Sequence, residues 1–230
     1  MLARLRAPTI VLYAARAEKR HSPGAYNSRM DEIVLRALRR WPDVPSVYGW
    51  LNLDRRGRWS IKGERLANGA LIDFIGRNYG CDAKGRWFFQ NGPQRVFVTL
   101  AYVPFVYRTS RGRAGELGLI AHTGATADAP RAAWVDDAGG FLVETALGVG
   151  AIHDQDLPEV LESLFDATGQ PLDDAATEEL LAFREGVGPG APLLRLGGIA
   201  LRLSKIRSVE VPHRFGFDPD PQPAPGEPEC

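Results

Sequence analysis

The stretch Asp54-Arg55-Arg56-Gly57-Arg58-Trp59 returns 28 residues later as Asp82-Ala83-Lys84-Gly85-Arg86-Trp87. A looser copy stands at Asp136-Asp137-Ala138-Gly139-Gly140-Phe141, and a degraded fourth at Asp166-Ala167-Thr168-Gly169-Gln170. The first and third copies lie 82 residues apart and the second and fourth 84, so the copies come in pairs and the pair is itself duplicated. Asp-x-x-Gly is turn chemistry. The carboxylate accepts hydrogen bonds from backbone amides two residues on, and glycine takes the positive φ that lets the chain re-enter a strand. The flanks are β-rich: Val47–Leu53 precedes the first copy and Trp59-Ser60-Ile61 follows it. Each copy therefore reads as a hairpin tip, with Asp54, Gly57, Asp82, Gly85, Asp136 and Gly139 as structural turn residues.

Working outward, the second copy runs into Trp87–Gln90, the turn signal Asn91-Gly92-Pro93 and the strand pattern Arg95–Val103. Pro93 argues for a loop wider than two residues there. Helical patterns fall between the paired hairpins, at 68–78 and at 157–165, the latter with Asp154 or Asp156 as cap and Pro158 at its start. The expected fold class is α+β, with duplicated β-hairpin–helix–β-hairpin units packed together. The first unit is expected at 46–112 and a more divergent second unit at 113–216, joined through 109–130. A further helix is expected at 173–184, a loop at 186–192, strands about Gly197-Gly198 and a last strand at 209–211. Phe217–Cys230, rich in proline and acid, reads as a disordered tail. The N-terminal segment 1–45 holds an amphipathic helix at 28–41. Its apolar positions Met30, Ile33, Val34, Ala37, Leu38 and Trp41 predict a core-packing face. A basic amphipathic helix that touches an anionic membrane or a partner is the alternative, disfavoured by the acidic start and by Trp41 against a proline stop. Residues 7–15 loosely mimic an export signal, but a charge run stands where cleavage should fall, and a short strand or helix start is expected instead.

Certain classes drop out on composition. No stretch approaches the length of a membrane-spanning helix, and two cysteines cannot build a disulfide framework. The zero net charge hides a division: residues 1–113 carry 21 Lys+Arg against 8 Asp+Glu, and residues 114–230 carry 7 against 20. The two halves are expected to face each other, within one chain or between copies in a homo-oligomer. The alternative is that the basic half meets an anion.

The block Gly85-Arg86-Trp87-Phe88-Phe89-Gln90-Asn91-Gly92-Pro93-Gln94-Arg95-Val96, with Val47–Leu51, Ile61–Arg65 and Arg77-Asn78-Tyr79, resembles a bacterial, mostly proteobacterial, family of domains of unknown function over about residues 45–108. The resemblance implies a β-rich fold with repeated motifs and a role in ligand binding or signalling. It carries no catalytic residues with it.

Chemistry is sparse. His21, His122, His153 and His213 are scattered. His153-Asp154-Gln155-Asp156 is the best metal candidate but has the composition of a helix cap. Cys81 reads as a small structural residue rather than a nucleophile. The glycine clusters at 148–150 and 186–190 lack phosphate-loop context, and Asp136/Asp137 and Asp173/Asp174 are adjacent rather than facing. No metal, cofactor or catalytic residue is assigned. Glu64, Arg65, Arg77, Asn78, Gln90, Asn91, Gln94 and Arg95 are the densest polar set. If they converge, they form a cleft for a small anionic ligand, with Arg77 and Arg95 as clamps. Otherwise they form a buried network that fixes the hairpin to the helix. The interleaved cations and aromatics of residues 55–95 suggest single-stranded nucleic acid, against the simpler reading that the rings point inward and the arginines outward. The functional expectation is a cytoplasmic, non-enzymatic binding protein for a small anionic ligand or a protein partner. Nucleic-acid binding and an enzyme of unknown class remain as alternatives.

Overall fold

The computed structural model describes residues 30–41, 44–112, 115–182, 191–223 and 225. Helix α1 (Glu32–Arg40) leads into β1 (Val47–Leu53), β2 (Trp59–Ile61), β3 (Glu64–Arg65), α2 (Gly69–Arg77), β4 (Tyr79–Cys81), β5 (Trp87–Asn91) and β6 (Gln94–Leu100). The hairpin β7 (Phe105–Arg111) and β8 (Leu117–Ala121) follows. Next come β9 (Ala132–Asp136), β10 (Phe141–Glu144), β11 (Val149–Ile152), a 3₁₀ turn at Asp154–Asp156, α3 (Leu157–Leu161) and β12 (Leu164–Phe165). The chain closes with α4 (Asp174–Leu181), β13 (Leu193–Leu196), β14 (Ile199–Ile206), a 3₁₀ turn at Ser208–Glu210 and α5 (Val211–Phe215).

The duplication is a property of the topology. The first sheet has the order β3-β2-β1-β6-β5-β4, and six strands of the second run β11-β10-β9-β14-β13-β12. The two orders coincide when every strand number is raised by eight. The pairing senses coincide too, with one parallel pair at each centre, β1 with β6 and β9 with β14, and antiparallel neighbours outside it. In both units a helix follows the third strand, α2 in the first and α3 in the second. The fold is α+β.

The four Asp-x-x-Gly turns share one geometry. In each, the aspartate carbonyl accepts from the glycine N–H at 3.0–3.1 Å, for Asp54–Gly57, Asp82–Gly85, Asp136–Gly139 and Asp166–Gly169. In each, Oδ1 also accepts from the N–H two and four residues on, at 2.7–3.0 Å. The glycines have φ of +73°, +79°, +78° and +85°. Burial alone would raise the Asp54 and Asp82 carboxyls, but these amides, with Arg58 and Arg86, hold both below the ordinary carboxylate range. Trp59 and Phe141 occupy the equivalent position after the first turn of each unit, and both are buried, as an anchor on the core requires.

Several expectations are corrected. Strand β7, expected in the first unit, pairs in parallel with β11, so the β7–β8 hairpin extends the second sheet. The turn after Asn91 is two residues long, because Asn91 pairs directly with Gln94 and Gly92 takes φ of +58°. Proline is accommodated there because the second turn position needs no N–H. Residues 209–211 form helical turns rather than a strand, with Pro212 in the first turn of α5. The first part of the expected tail is held through 220: Leu100 N–H donates to Pro219 O at 2.7 Å, Asp218 N–H donates to Gly85 O at 3.0 Å, and Phe217 is buried, while 224 and 226–230 lie outside the described residues. The fourth turn closes only onto Pro171, and α4 intervenes before the chain returns as β13. The expectations for residues 7–15, and most of that for the 186–192 loop, lie outside the described residues.

An aromatic seam joins the units. Trp59, Tyr79 and Trp87 of the first sheet meet Phe105 and His122 of the β7–β8 region at ring-centroid distances of 5.0–5.9 Å. Gly76 of α2 lies against the Thr123 backbone, where an added Cβ would stand 3.0 Å from its carbonyl oxygen. One ion pair crosses the seam, Arg56 with Asp154 at 2.5 Å, and two more tie β7 to the start of α3, Arg108 with Asp156 at 2.6 Å and Arg111 with Glu159 at 2.6 Å. All three join the basic half to the acidic half within one chain. Burial would raise the Asp156 carboxyl, but hydrogen bonds from Arg108 and the Thr109 N–H hold it below its ordinary value. No helix among the described residues is long and apolar enough to cross a membrane.

Candidate functional site

The polar set divides on strand parity. Side chains alternate across a sheet, and Phe89 and Val96 face the α2 side, where with Leu71 and Ile75 they line a void of about 10 Å³. Arg95 precedes Val96 and so points to the opposite face, where its guanidinium lies 4.8 Å from the centre of the Phe88 ring. Arg77 ends α2 and donates to the Asp31 carboxylate at 3.4 Å. The expected Arg77–Arg95 clamp does not form, because the sheet separates the two groups. Glu64 and Arg65 are exposed on the edge strand β3, four strand steps from β5, roughly 19 Å away. They do not join the set.

The other members do come together. Asn78 caps α2, and its Nδ2 donates to Phe74 O at 3.0 Å. Its Oδ1 accepts the Asp31 N–H at 2.8 Å, and its backbone carbonyl accepts the Gln90 N–H at 2.9 Å. Gln94 Nε2 donates to Pro45 O at 3.2 Å, and Gln90 Nε2 to Gly92 O at 3.0 Å. These bonds hold residue 31, just before α1, and residue 45, just after it, to the first unit. The set thus fixes α1 to the β5–β6 hairpin. Two acceptors in it, Gln90 Oε1 and Asn91 Oδ1, are buried without a partner among the described residues. Asn78→Ala is expected to lower stability by about 1–2 kcal/mol and to loosen α1 first, read as faster amide exchange in residues 32–40 than in β5.

The sequence reading placed Ile33, Ala37 and Trp41 in the core face of α1. Among the helix residues only Val34 is buried, while Met30 and Leu38 pack partly against the core. Ile33 is 42% and Trp41 44% exposed. The helix lies against the unit by one edge, because the network grips its two ends and not its length. Between α1 and the Gly92 turn an open groove of about 300 Å³ remains, lined by Ile33, Val34, Ala37, Trp41, Gly92 and the arginines Arg36 and Arg40. Arg40 stacks on Trp41 at 4.8 Å, and neither Arg36 nor Arg40 forms an ion pair among the described residues. The sequence reading set this helix aside as core-packing and named none of these residues as a site. The signal was present as an apolar stripe at i, i+4 and i+8 beside arginines at i+3 and i+7.

The remaining candidates are structural. The Cys81 thiol is pushed up to about 11, by burial first and by Asp82 second, so it is not a thiolate near neutral pH. His153 Nδ1 accepts the Gln155 N–H at 3.1 Å, so the histidine itself is the cap, and Asp156 is taken up by Arg108. On the interleaved strands the rings point inward or are covered. Trp59 is buried, Arg86 and Arg95 cover Phe97 and Phe88, and Lys62 covers Trp50 at 3.6 Å. A nucleic-acid base finds no free ring to stack on among them.

A family model described as "Protein of unknown function (DUF2946)" matches residues 30–222, well beyond the 45–108 stretch on which the sequence resemblance rested. No curated protein matches. Among solved structures, a DUF1285 family protein from Silicibacter pomeroyi DSS-3 is similar, with a TM-score of 0.47, 15% identity and coverage of 69% of this chain and 80% of that one. A DUF1285 family protein from Shewanella baltica OS155 gives a TM-score of 0.39 and 14% identity, over 50% of this chain and 90% of that one.

Proposed function

We propose, for a chain that belongs to the family described as Protein of unknown function (DUF2946), that it is a binding protein whose site is the groove between α1 and the Gly92 turn. The ligand is a small organic anion with an apolar body. One observation carries the reading: an apolar, open groove of about 300 Å³ has two guanidinium groups on its wall and no carboxylate among its lining residues. That volume falls at the small end of ligand pockets, which are mostly apolar with a few polar groups that set orientation. Ile33, Ala37 and Trp41 take the apolar body. Arg36 and Arg40 hold the anionic head, which a planar guanidinium grips with two parallel hydrogen bonds. Neither a nucleophile nor a general base lines the groove, so the reading is one of binding without chemistry.

An aromatic sulfonate dye whose fluorescence rises in apolar surroundings, anilinonaphthalene sulfonate, is a direct probe. We expect saturable binding that a dodecanoate competitor displaces. Ala37→Trp, which fills the groove, and Arg36→Ala/Arg40→Ala are each expected to weaken binding at least tenfold without lowering the melting temperature. Dye binding that both variants leave unchanged would place the site elsewhere and sink the reading.

A further inference from the structure

α1 presents more than a pocket wall. Ile33, Ala37 and Trp41 form one stripe at four-residue spacing, about 12 Å long at the helical rise, with the groove on one side. Arg36, Arg39 and Arg40 are exposed, and none of them is ion-paired among the described residues. Elsewhere in the basic half, arginines that carry ion pairs meet Asp or Glu, as Arg56, Arg58, Arg77, Arg86, Arg108 and Arg111 do. Free cations and exposed large apolar side chains therefore coincide on one helix.

We infer that this face of α1 docks on an anionic lipid bilayer, with Ile33, Ala37 and Trp41 entering the interface and Arg36, Arg39 and Arg40 meeting the lipid phosphates. Tryptophan with arginine on an amphipathic helix is the composition that suits the headgroup boundary, where the ring is half wet and the guanidinium finds anions. The Arg40–Trp41 stack at 4.8 Å presents both chemistries as one unit. A nucleic-acid backbone would pair the guanidiniums but leave the apolar stripe in water. A bilayer takes both and, being planar, asks for no matching shape. Charge upstream adds to the attraction, since residues 1–29 carry six Lys+Arg against one Glu. Of the acidic start that argued against a membrane on sequence grounds, Asp31 is taken up by Arg77 at 3.4 Å, which leaves Glu32 as the single exposed carboxylate on the helix beside three arginines. Trp41 is not sequestered by the proline stop.

The inference goes beyond the small-ligand reading and is tested apart from it. The full chain is sedimented with vesicles of phosphatidylcholine alone and with vesicles holding 30% phosphatidylglycerol. Binding is expected only to the anionic vesicles, with a loss of at least tenfold between low and high salt. Arg36→Glu/Arg40→Glu is expected to abolish it, while Arg195→Glu/Arg202→Glu, the same charge change on β13 and β14, leaves it intact. Tryptophan emission is expected to shift to the blue on anionic vesicles in the unaltered chain and not in Trp41→Phe, a variant that keeps the charge and most of the apolar surface. Millimolar inorganic phosphate is expected not to compete; full competition would assign the arginines to a free phosphate and overturn the bilayer. No binding to anionic vesicles at low salt, binding that survives Arg36→Glu/Arg40→Glu, or an equal blue shift in Trp41→Phe would each overturn it as well. The dye experiment is run without vesicles, so loss of the small-ligand reading and loss of this one are separable.

Discussion

Acidification from pH 7 to pH 4 is expected to cost the fold about 3 kcal/mol through one residue, His122. Burial pushes its imidazole down to about 3. The ring sits among Trp59, Tyr79 and Phe105, and Nδ1 accepts the Val106 N–H at 3.3 Å, a bond that protonation would remove. Between the unfolded value near 6.5 and the folded value near 3, the unfolded chain binds a proton that the folded chain refuses. Stability therefore rises with pH across that window, is complete above it, and falls on acidification until the folded group also titrates. The figure is smaller than the full product of the shift because pH 4 lies above the folded value, so the last part of the loss falls below the window. His122→Asn, whose side-chain carbonyl oxygen can accept the same amide, is expected to be less stable at pH 7 but nearly flat between pH 7 and pH 4.5. Denaturant titrations across that range decide it. A slope that persists in His122→Asn would move the effect to another group. The carboxylates held low by their partners, Asp54, Asp82 and Asp156, work in the same direction at lower pH, since their contribution is present above the ordinary carboxylate value and is lost only below it.

Gly85→Ala is expected to be the most damaging of the four glycine-turn substitutions, at about 3 kcal/mol or more, and Gly169→Ala the mildest, at about 1 kcal/mol. The backbone strain is common to all, because the φ values lie within +73° to +85°. The surroundings differ. A Cβ on Gly85 would stand 2.1 Å from Gly216 O and 3.0 Å from Phe217 Cα, so the C-terminal segment must leave its place. On Gly57 it would meet His122 Cβ at 2.7 Å and press on the aromatic seam. On Gly139 the nearest atom is Leu181 Cδ2 at 3.8 Å, and around Gly169 the space is open. The expected order of destabilisation is Gly85, Gly57, Gly139, Gly169. Asparagine, which tolerates positive φ, is expected to rescue Gly169 and not Gly85. Thermal melts of the six variants test this, and equal losses for the four alanine variants would show that strain rather than packing governs the turns.

The same comparison shows what was readable from the chain. The turn motif is closed by hydrogen bonds that span at most four residues, so Asp54, Asp82, Asp136 and Asp166 announce it wherever they stand. The spacing of the copies then exposed the duplication, and the strand orders of the two sheets bear it out. Helix α2 was legible because Asn68 caps it with its own side chain, accepting the Leu71 N–H at 3.2 Å. The candidate site was less legible. Asn78, Gln90 and Gln94 do meet, but as struts for α1. Arg77 and Arg95 part company on parity, a two-residue period that a list of polar positions does not carry.

The sequence by itself determined the local bends and the repetition of the unit, since each is written within a few residues or as a fixed interval, while the helix expected over 157–165 stops at Leu161 and yields to β12. Only the tertiary structure decided that β7–β8 extends the second sheet, that residues 217–220 lie on the first, and that α1 rests on one edge with Ile33, Trp41 and its arginines facing out. These depend on which surfaces remain uncovered after the sheets have formed. An apolar stripe on a helix states that it can be buried; how much of it is buried depends on the area the rest of the fold offers.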